Sequence, residues 1–319
     1  MEFIKIKDEL DYSYKKYKLT REIEDIFVES KYIKLEPSIF EDYDTFTLIN
    51  KRIKKEKMVK IIDGNSKVLI LRPDITTNII KNLIPRWEKD LKVKLFYNSS
   101  IFINKLDSNI REFKQMGIEY LGEDSLEADM EIIGLVFKIF KNYRKNFILE
   151  IGTSKYINAL LKELNLEENL KIKLKNLIYK KNKNEIIECI SALDIKKEIK
   201  DLFSNILDFQ GNMEEVINKA ENNYMNENMK LSIEKLKDFK KMALDYGYLK
   251  CIHLDLSMIT ELDYYNGLVF KGYYKNSSRE VISGGRYDSL TKTFGIKIPA
   301  VGFSIDLDEL IKILYRDGE

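Results

Sequence analysis

ELDYYNGLVFKGYY (261–274), VISGGRYDSL (281–290) and FGIKIPAVGFSIDLDEL (294–310) follow one another near the end of the chain, and their pattern decides the fold. VFKGYY, VISGG and PAVGFSI are β-branched and aromatic runs of strand length, and Asp306–Tyr315 has the apolar spacing of a closing helix. Turns rather than crossover helices join them, so neighbouring strands are expected to pair antiparallel. In GGRYD the two glycines allow close backbone approach or positive φ. Arg286 and Asp288 beside them can form a fixed ion pair, a turn-stabilising role, or touch a ligand carboxylate.

Working outward, CIHLDLS (251–257) alternates Ile252, Leu254 and Leu256 against His253, Asp255 and Ser257, which is another strand. Before it, from Thr153 to about Tyr246, the chain is rich in leucine, lysine, glutamate and asparagine at helical spacing. Leu160, Leu161, Leu164, Ile172, Leu174 and Leu177 illustrate the pattern, as do Leu231, Ile233, Leu236 and Phe239. Residues 153–246 therefore read as a helical insertion in a core made of 1–152 and 247–319. Charge runs such as Lys180–Lys183 are its solvated faces.

The first part of the core alternates helices and hairpins. Lys5–Val28 has helical spacing, with Tyr14, Tyr17, Ile23, Ile26 and Phe27 as expected buried positions. Met58–Ile62 and Lys67–Leu71 flank the turn Asp63-Gly64-Asn65, and Val93–Ile103 with Glu112–Leu121 form a longer hairpin. Ser125 or Asp124 caps a helix running through Ile133 and Phe137. The whole predicts an α+β fold: an antiparallel sheet flanked by helices, with a helical insertion.

Composition narrows the function. The 319 residues hold 54 basic and 52 acidic side chains for a net charge of +2, so the basic signature of nucleic-acid binding is missing. Cys189, Cys251 and the lone His253 cannot supply a four-ligand Cys/His zinc site, and no metal or cofactor is expected. The start, MEFIKIKDEL, lacks the apolar core of a signal peptide, and no run approaches a membrane span. A cytoplasmic protein is expected.

The motifs LDYY–G–VF, GGRYD and PAVGF, in this order, resemble the histidine-specific and third class II motifs of histidyl-tRNA synthetase. Upstream, Pro37 in YIKLEPSIFEDYDTF (32–46) sits where the first class II motif keeps its proline at the dimer interface. LRPDITTNI (71–79) is similar to the family's Arg-Pro-Glu-x-Thr segment, with Asp74 replacing glutamate. REFKQMGIEYLG (111–122) matches the end of the second motif. The resemblance covers most of the chain outside the insertion. It implies the class II synthetase-like fold and a histidine pocket at Asp74, Thr76, Gln115, Glu119, Tyr264 and Tyr265. Those residue types suit the ligand: Asp74 for the ammonium, Gln115 and Glu119 sharing a strand face toward the ring, and the tyrosines as hydroxyls and walls.

Departures from the family matter as much. Ile103 and Asn109 stand where the second motif keeps arginines, Thr260 where a catalytic arginine precedes LDYY, and Glu309 where the third motif ends in an ATP-binding arginine. Asp306 replaces a preferred glycine. Loss of one oxyanion-type donor typically costs ~10²–10³ in rate, so loss of several argues against adenylation. The sequence also ends at Glu319, soon after the third motif, with no anticodon-binding domain expected in it. This combination is similar to the regulatory-subunit family of ATP phosphoribosyltransferase. The resemblance implies a non-catalytic protein with a homodimer core, a short-form ATP phosphoribosyltransferase catalytic subunit as partner, and histidine as effector. Two other readings stay open here: a divergent histidyl-tRNA synthetase catalytic fragment, and a free-standing histidine or tRNA sensor.

Overall fold

The structure is a computed structural model and describes residues 5–50, 53–105, 109–143, 147–259, 265–275, 277 and 279–315. It divides into two compact units, one of residues 1–147, 273–284 and 288–319, the other of 148–272 and 285–287.

The first unit opens with α1 (Ile6–Glu29), β1 (Ile33–Lys34), β2 (Phe40–Asp42), α2 (Tyr43–Ile49), β3 (Lys60–Ile62), β4 (Val68–Leu71) and α3 (Ile75–Leu83). The hairpin β5 (Val93–Asn104)–β6 (Ile110–Leu121) and α4 (Leu126–Phe140) follow. The second unit holds β7 (Phe147–Thr153), α5 (Ser154–Lys162), α6 (Glu168–Tyr179), α7 (Lys183–Ser191), α8 (Lys197–Ser204), β8 (Gln210–Asn212), α9 (Met213–Glu221) and α10 (Glu227–Asp245). Its strands β9 (Ile252–Asp255) and β10 (Leu268–Tyr274) come after these helices. Then β11 (Glu280–Arg286), α11 (Asp288–Thr293), β12 (Ala300–Asp306) and α12 (Leu307–Tyr315) complete the chain.

In the first unit the strands run in the order β1-β5-β6-β12-β11, and β2-β4-β3 form a separate small sheet. The two hairpins expected from sequence are present. Asp63 Oδ1 accepts the N–H groups of Asn65 and Lys67 at 2.9 and 2.8 Å, which fixes the β3–β4 turn. Ser125 caps α4 by accepting the Ala128 N–H at 3.2 Å. β2 is an additional strand beside β4, too short to leave a periodic signal.

The large sheet has two differently built faces. On one, Phe27 of α1 lies 5.5 Å from Phe96 and 6.2 Å from Phe303, ring centre to ring centre. On the other, Ile75 and Ile79 of α3 pack with Leu95, Tyr97 and Ile101. Glu24 of α1 is buried and accepts hydrogen bonds from Lys34 Nζ and Asn98 Nδ2, both at 3.1 Å. Burial pushes its carboxyl up, but those hydrogen bonds and the Lys34 charge outweigh it, so the pKa ends below the ordinary value.

Pairing is mixed rather than uniformly antiparallel. β5–β6 and β6–β12 are antiparallel, whereas β1 runs parallel to β5, and in the second unit β7 runs parallel to β9. Long segments rather than turns separate each parallel pair, which is what parallel pairing requires. The second unit's strand order is β10-β7-β9-β8. Lys181, at a left-handed φ of 55° between α6 and α7, clamps these helices to β9: its Nζ donates to Asp255 Oδ2 at 2.6 Å and Ser257 Oγ at 2.7 Å.

Some expected core positions face outward. Tyr14 and Tyr17 are 66% and 64% exposed, while Leu19, Ile23 and Phe27 form the buried face of α1. The helix carries two apolar stripes, and only one meets its own sheet. Ile172 and Leu231 are likewise exposed, beyond the packed stripes of α6 and α10. Among the described residues no helix is long and apolar enough to cross a membrane.

Candidate functional site

The face of the first unit's sheet that receives α3 carries a trough of small and polar residues. Directly opposed residues of an antiparallel pair share a face, so the register defines three rows. Ser99, Gln115 and Asp306 form one, Tyr97, Gly117 and Ser304 the next, and Leu95, Glu119 and Gly302 the third. The alternate residues Ile118 and Phe303 point to the opposite side with Phe27.

Two glycines make room for neighbouring side chains on this face. A Cβ on Gly117 would collide with the hydroxyl of Tyr97 and the backbone of Phe303. One on Gly302 would collide with the carboxylate of Glu119 and the carbonyl of Ile118. Glu119 is only 1% exposed, and its Oε1 accepts the Thr76 hydroxyl at 2.6 Å. That bond couples the first turn of α3 to the strand face, because Thr76 is the second residue of the helix.

Asp74 caps the same helix. Its Oδ2 accepts the Thr77 N–H at 3.1 Å and a short hydrogen bond from the Thr77 hydroxyl. The residue keeps some exposed surface, yet its carboxyl is enclosed by protein, and burial raises its pKa. Asp74 is therefore engaged by donors of its own helix. Gln115 is half-buried in the row next to Gly117.

Four of the six expected pocket residues (Asp74, Thr76, Gln115 and Glu119) thus lie on this face or in the helix turn bonded to it. Tyr264 lies outside the described residues. Tyr265 belongs to the second unit, where its ring edge stands 2.8 Å from the place a Cβ on Gly285 would occupy. Sequence reasoning had not singled out Gly117, Gly302, Ser304 or Tyr97. The Gln-x-Gly-x-Glu spacing in β6 was a usable signal for Gly117 alone, since the other three enter through cross-strand register.

The positions expected to lack phosphate-binding cations have other occupations. Ile103 packs, half-buried, against the cluster of Ile75, Ile79 and Tyr97. Asn109 is exposed, and its carbonyl accepts the Lys105 N–H at 3.2 Å. Glu309 is buried and faces Arg279 at 3.5 Å, while Asp306 accepts the Glu309 N–H at 2.9 Å at the start of α12. Burial, with Asp308 and Glu309 nearby, raises the Asp306 pKa. Thr260 lies outside the described residues. Asp288, in the GGRYD motif, is buried and accepts the Ala300 N–H at 3.0 Å, a backbone-fixing role.

Residues 7–310 match the family model for histidyl-tRNA synthetase. The chain is 32% identical over 326 residues to the ATP phosphoribosyltransferase regulatory subunit of Bacillus cereus (strain B4264), an alignment covering 97% of this chain and 75% of that one. It is 34% identical over 294 residues to the protein of that name from Clostridium acetobutylicum, with 90% and 72% covered. In three dimensions it is similar to the crystal structure of an ATP phosphoribosyltransferase regulatory subunit/histidyl-tRNA synthetase from Bacillus halodurans C, with a TM-score of 0.86 and 26% identity. That superposition covers 95% of this chain and 80% of the other.

Proposed function

The chain belongs to the histidyl-tRNA synthetase family and, within it, to the ATP phosphoribosyltransferase regulatory subunits, and from that premise we propose how it works. It is the non-catalytic subunit of ATP phosphoribosyltransferase, acting at the first step of histidine biosynthesis. It assembles with the short-form catalytic subunit in the cytoplasm and transmits feedback inhibition by histidine. The observation that carries the regulatory part is a built polar trough beside a dismantled nucleotide site. Glu119, Thr76 and Gln115 line a face on which Gly117 and Gly302 make room for the Tyr97 hydroxyl and the Glu119 carboxylate, while Ile103 sits in the core cluster and Glu309 faces Arg279.

In this pocket Glu119 accepts an imidazole N–H, Gln115 assists on the same face, and Asp74 contributes negative charge near the ammonium. Histidine regulates by binding one state of the complex better than another, with a coupling of about 1–3 kcal/mol.

The complex is built on a homodimer of this chain. Ile6, Leu10, Tyr14 and Tyr17 form an apolar stripe 64–77% exposed along α1, and Ile33 and Phe40 flank Pro37 at 68% and 52% exposure. Exposed apolar residues gathered in this way mark protein interfaces. The testing experiment is co-purification with a short-form transferase, followed by assay of phosphoribosyl transfer with and without histidine. Failure to associate, or activity that ignores both this chain and histidine, would overturn the proposal.

A further inference from the structure

We infer that Glu41 is a positioning residue of the pocket: it anchors α3 from the side opposite Glu119 and brings a second negative charge to bear on Asp74. The assignment rests on the amino-acid pocket proposed above, and it names a residue outside the motifs that mark that pocket.

Glu41 is the middle residue of β2, opposite Ile70 of β4, and only 2% of it is exposed. Both carboxylate oxygens are taken by α3. Oε1 accepts a short hydrogen bond from Asn78 Nδ2, and Oε2 pairs with Lys81 Nζ at 2.8 Å. Thr76, in the first turn of the same helix, donates to Glu119 Oε1 at 2.6 Å. Asn78 and Lys81 lie roughly 200° and 140° around the helix from Thr76, so the two carboxylates hold opposite sides of it. One belongs to the large sheet and the other to the small one, and the nine residues of α3 are fixed between them.

The chain leading to Glu41 is fixed as well. Arg72 is buried, and its guanidinium donates to the carbonyls of Ser100, Pro37 and Ser38 at 2.7, 2.5 and 3.1 Å. Its hydrogen bonds thus hold backbone, while its charge attracts Glu41 from a distance. The charged groups around α3's start are therefore Arg72 just after β4, Lys81 on α3 itself, Glu41 on β2 and Glu119 on β6. Burial is the main influence holding the Asp74 pKa up; the Thr77 hydrogen bonds lower it, and the Glu41 charge raises it further. An apolar residue in place of Glu41 could pack against α3, but it would leave Asp74 without that neighbouring charge.

The test is calorimetry of histidine binding to the full chain over a range of pH, with each variant expressed as a ratio to wild type so that titration of histidine itself cancels. Glu41→Gln keeps an acceptor for Asn78 and loses the charge. Its affinity at neutral pH should fall about fivefold or more, because α3 loses its Lys81 anchor. The Asp74 pKa should also drop, so Asp74 stays ionised to lower pH and the ratio should narrow on acidification. Lys81→Gln, at a side chain 26% exposed, removes a positive charge and should do the opposite: the Asp74 pKa rises and the ratio widens as pH falls. Ratios independent of pH in both variants, or unchanged affinity in Glu41→Gln, would overturn the role of Glu41 while leaving the pocket standing. Absence of histidine binding to the wild-type chain would remove the pocket and this assignment together.

Discussion

Replacing Glu119 by glutamine changes one oxygen of a buried carboxylate into an amide and leaves its shape. The side chain is 1% exposed, lies against Gly302 and accepts the Thr76 hydroxyl at 2.6 Å. Glutamine can keep that acceptor through its carbonyl, so the fold is expected to survive. What the variant lacks is the negative charge that strengthens acceptance of an imidazole N–H. A hydrogen bond to a charged group contributes about 1.5–3 kcal/mol, which is a factor of roughly ten to a hundred in affinity. The assay is phosphoribosyl transfer by the assembled complex across a histidine titration, with each curve normalised to its own uninhibited rate. The half-inhibiting concentration should rise by about that factor. Thr76→Val, which removes the donor that orients the carboxylate, should raise it by a smaller amount. If both variants assemble normally and keep the wild-type curve, the trough is a relic and histidine acts elsewhere.

Magnesium-ATP should not bind the isolated chain at micromolar concentration, because Ile103, Asn109 and Glu309 supply no cationic clamp; a calorimetric titration that saturates in that range would contradict this. Leu10→Glu with Tyr14→Glu, both on the exposed stripe of α1, should convert a dimer into a monomer in sedimentation, and an unchanged sedimentation coefficient would count against the interface. Glu24, whose pKa is lowered in the fold, binds protons less tightly folded than unfolded. Its contribution is therefore present above the ordinary carboxylate pKa and lost as pH falls through the folded value. The stability gap between wild type and Glu24→Gln, measured by urea denaturation, should close on acidification; a gap independent of pH would refute the linkage. Lys181→Met should cost about 1–3 kcal/mol, since it leaves the buried Asp255 carboxylate without its ammonium partner, a figure kept modest because the lysine is itself partly exposed.

Local patterns carried most of the fold into view before the structure. The β3–β4 and β5–β6 hairpins, the Ser125 cap and the insertion helices each leave a signal within a few residues. The parallel pairs β1–β5 and β7–β9 leave none, because partners so distant in the chain are chosen by the packed sheet. Tyr14 and Tyr17 misled for a related reason: periodicity reports that a face is apolar and is silent about what covers it. At the site, Asp74, Thr76, Gln115 and Glu119 were legible as a motif. Tyr97, Gly302, Ser304 and Asp306 join them only through cross-strand register, which one strand's sequence does not encode.

The parallel pairing of β7 with β9 has a consequence for the order in which the chain acquires its structure. Roughly a hundred residues lie between Thr153 and Ile252, and closing so long a loop must be met entropically before the strand pair returns any stability. The helices α5 to α10 lie within that loop and form from contacts near in sequence. They are expected to collapse first, drawing the two strand ends together and shortening the effective loop. During synthesis β7 emerges well before β9, so its open edge must wait for the ribosome to deliver a partner. Substitutions that loosen the α6–α7 clamp at Lys181 should therefore slow refolding as well as destabilise the product, whereas changes in the β5–β6 hairpin should leave that slow phase untouched.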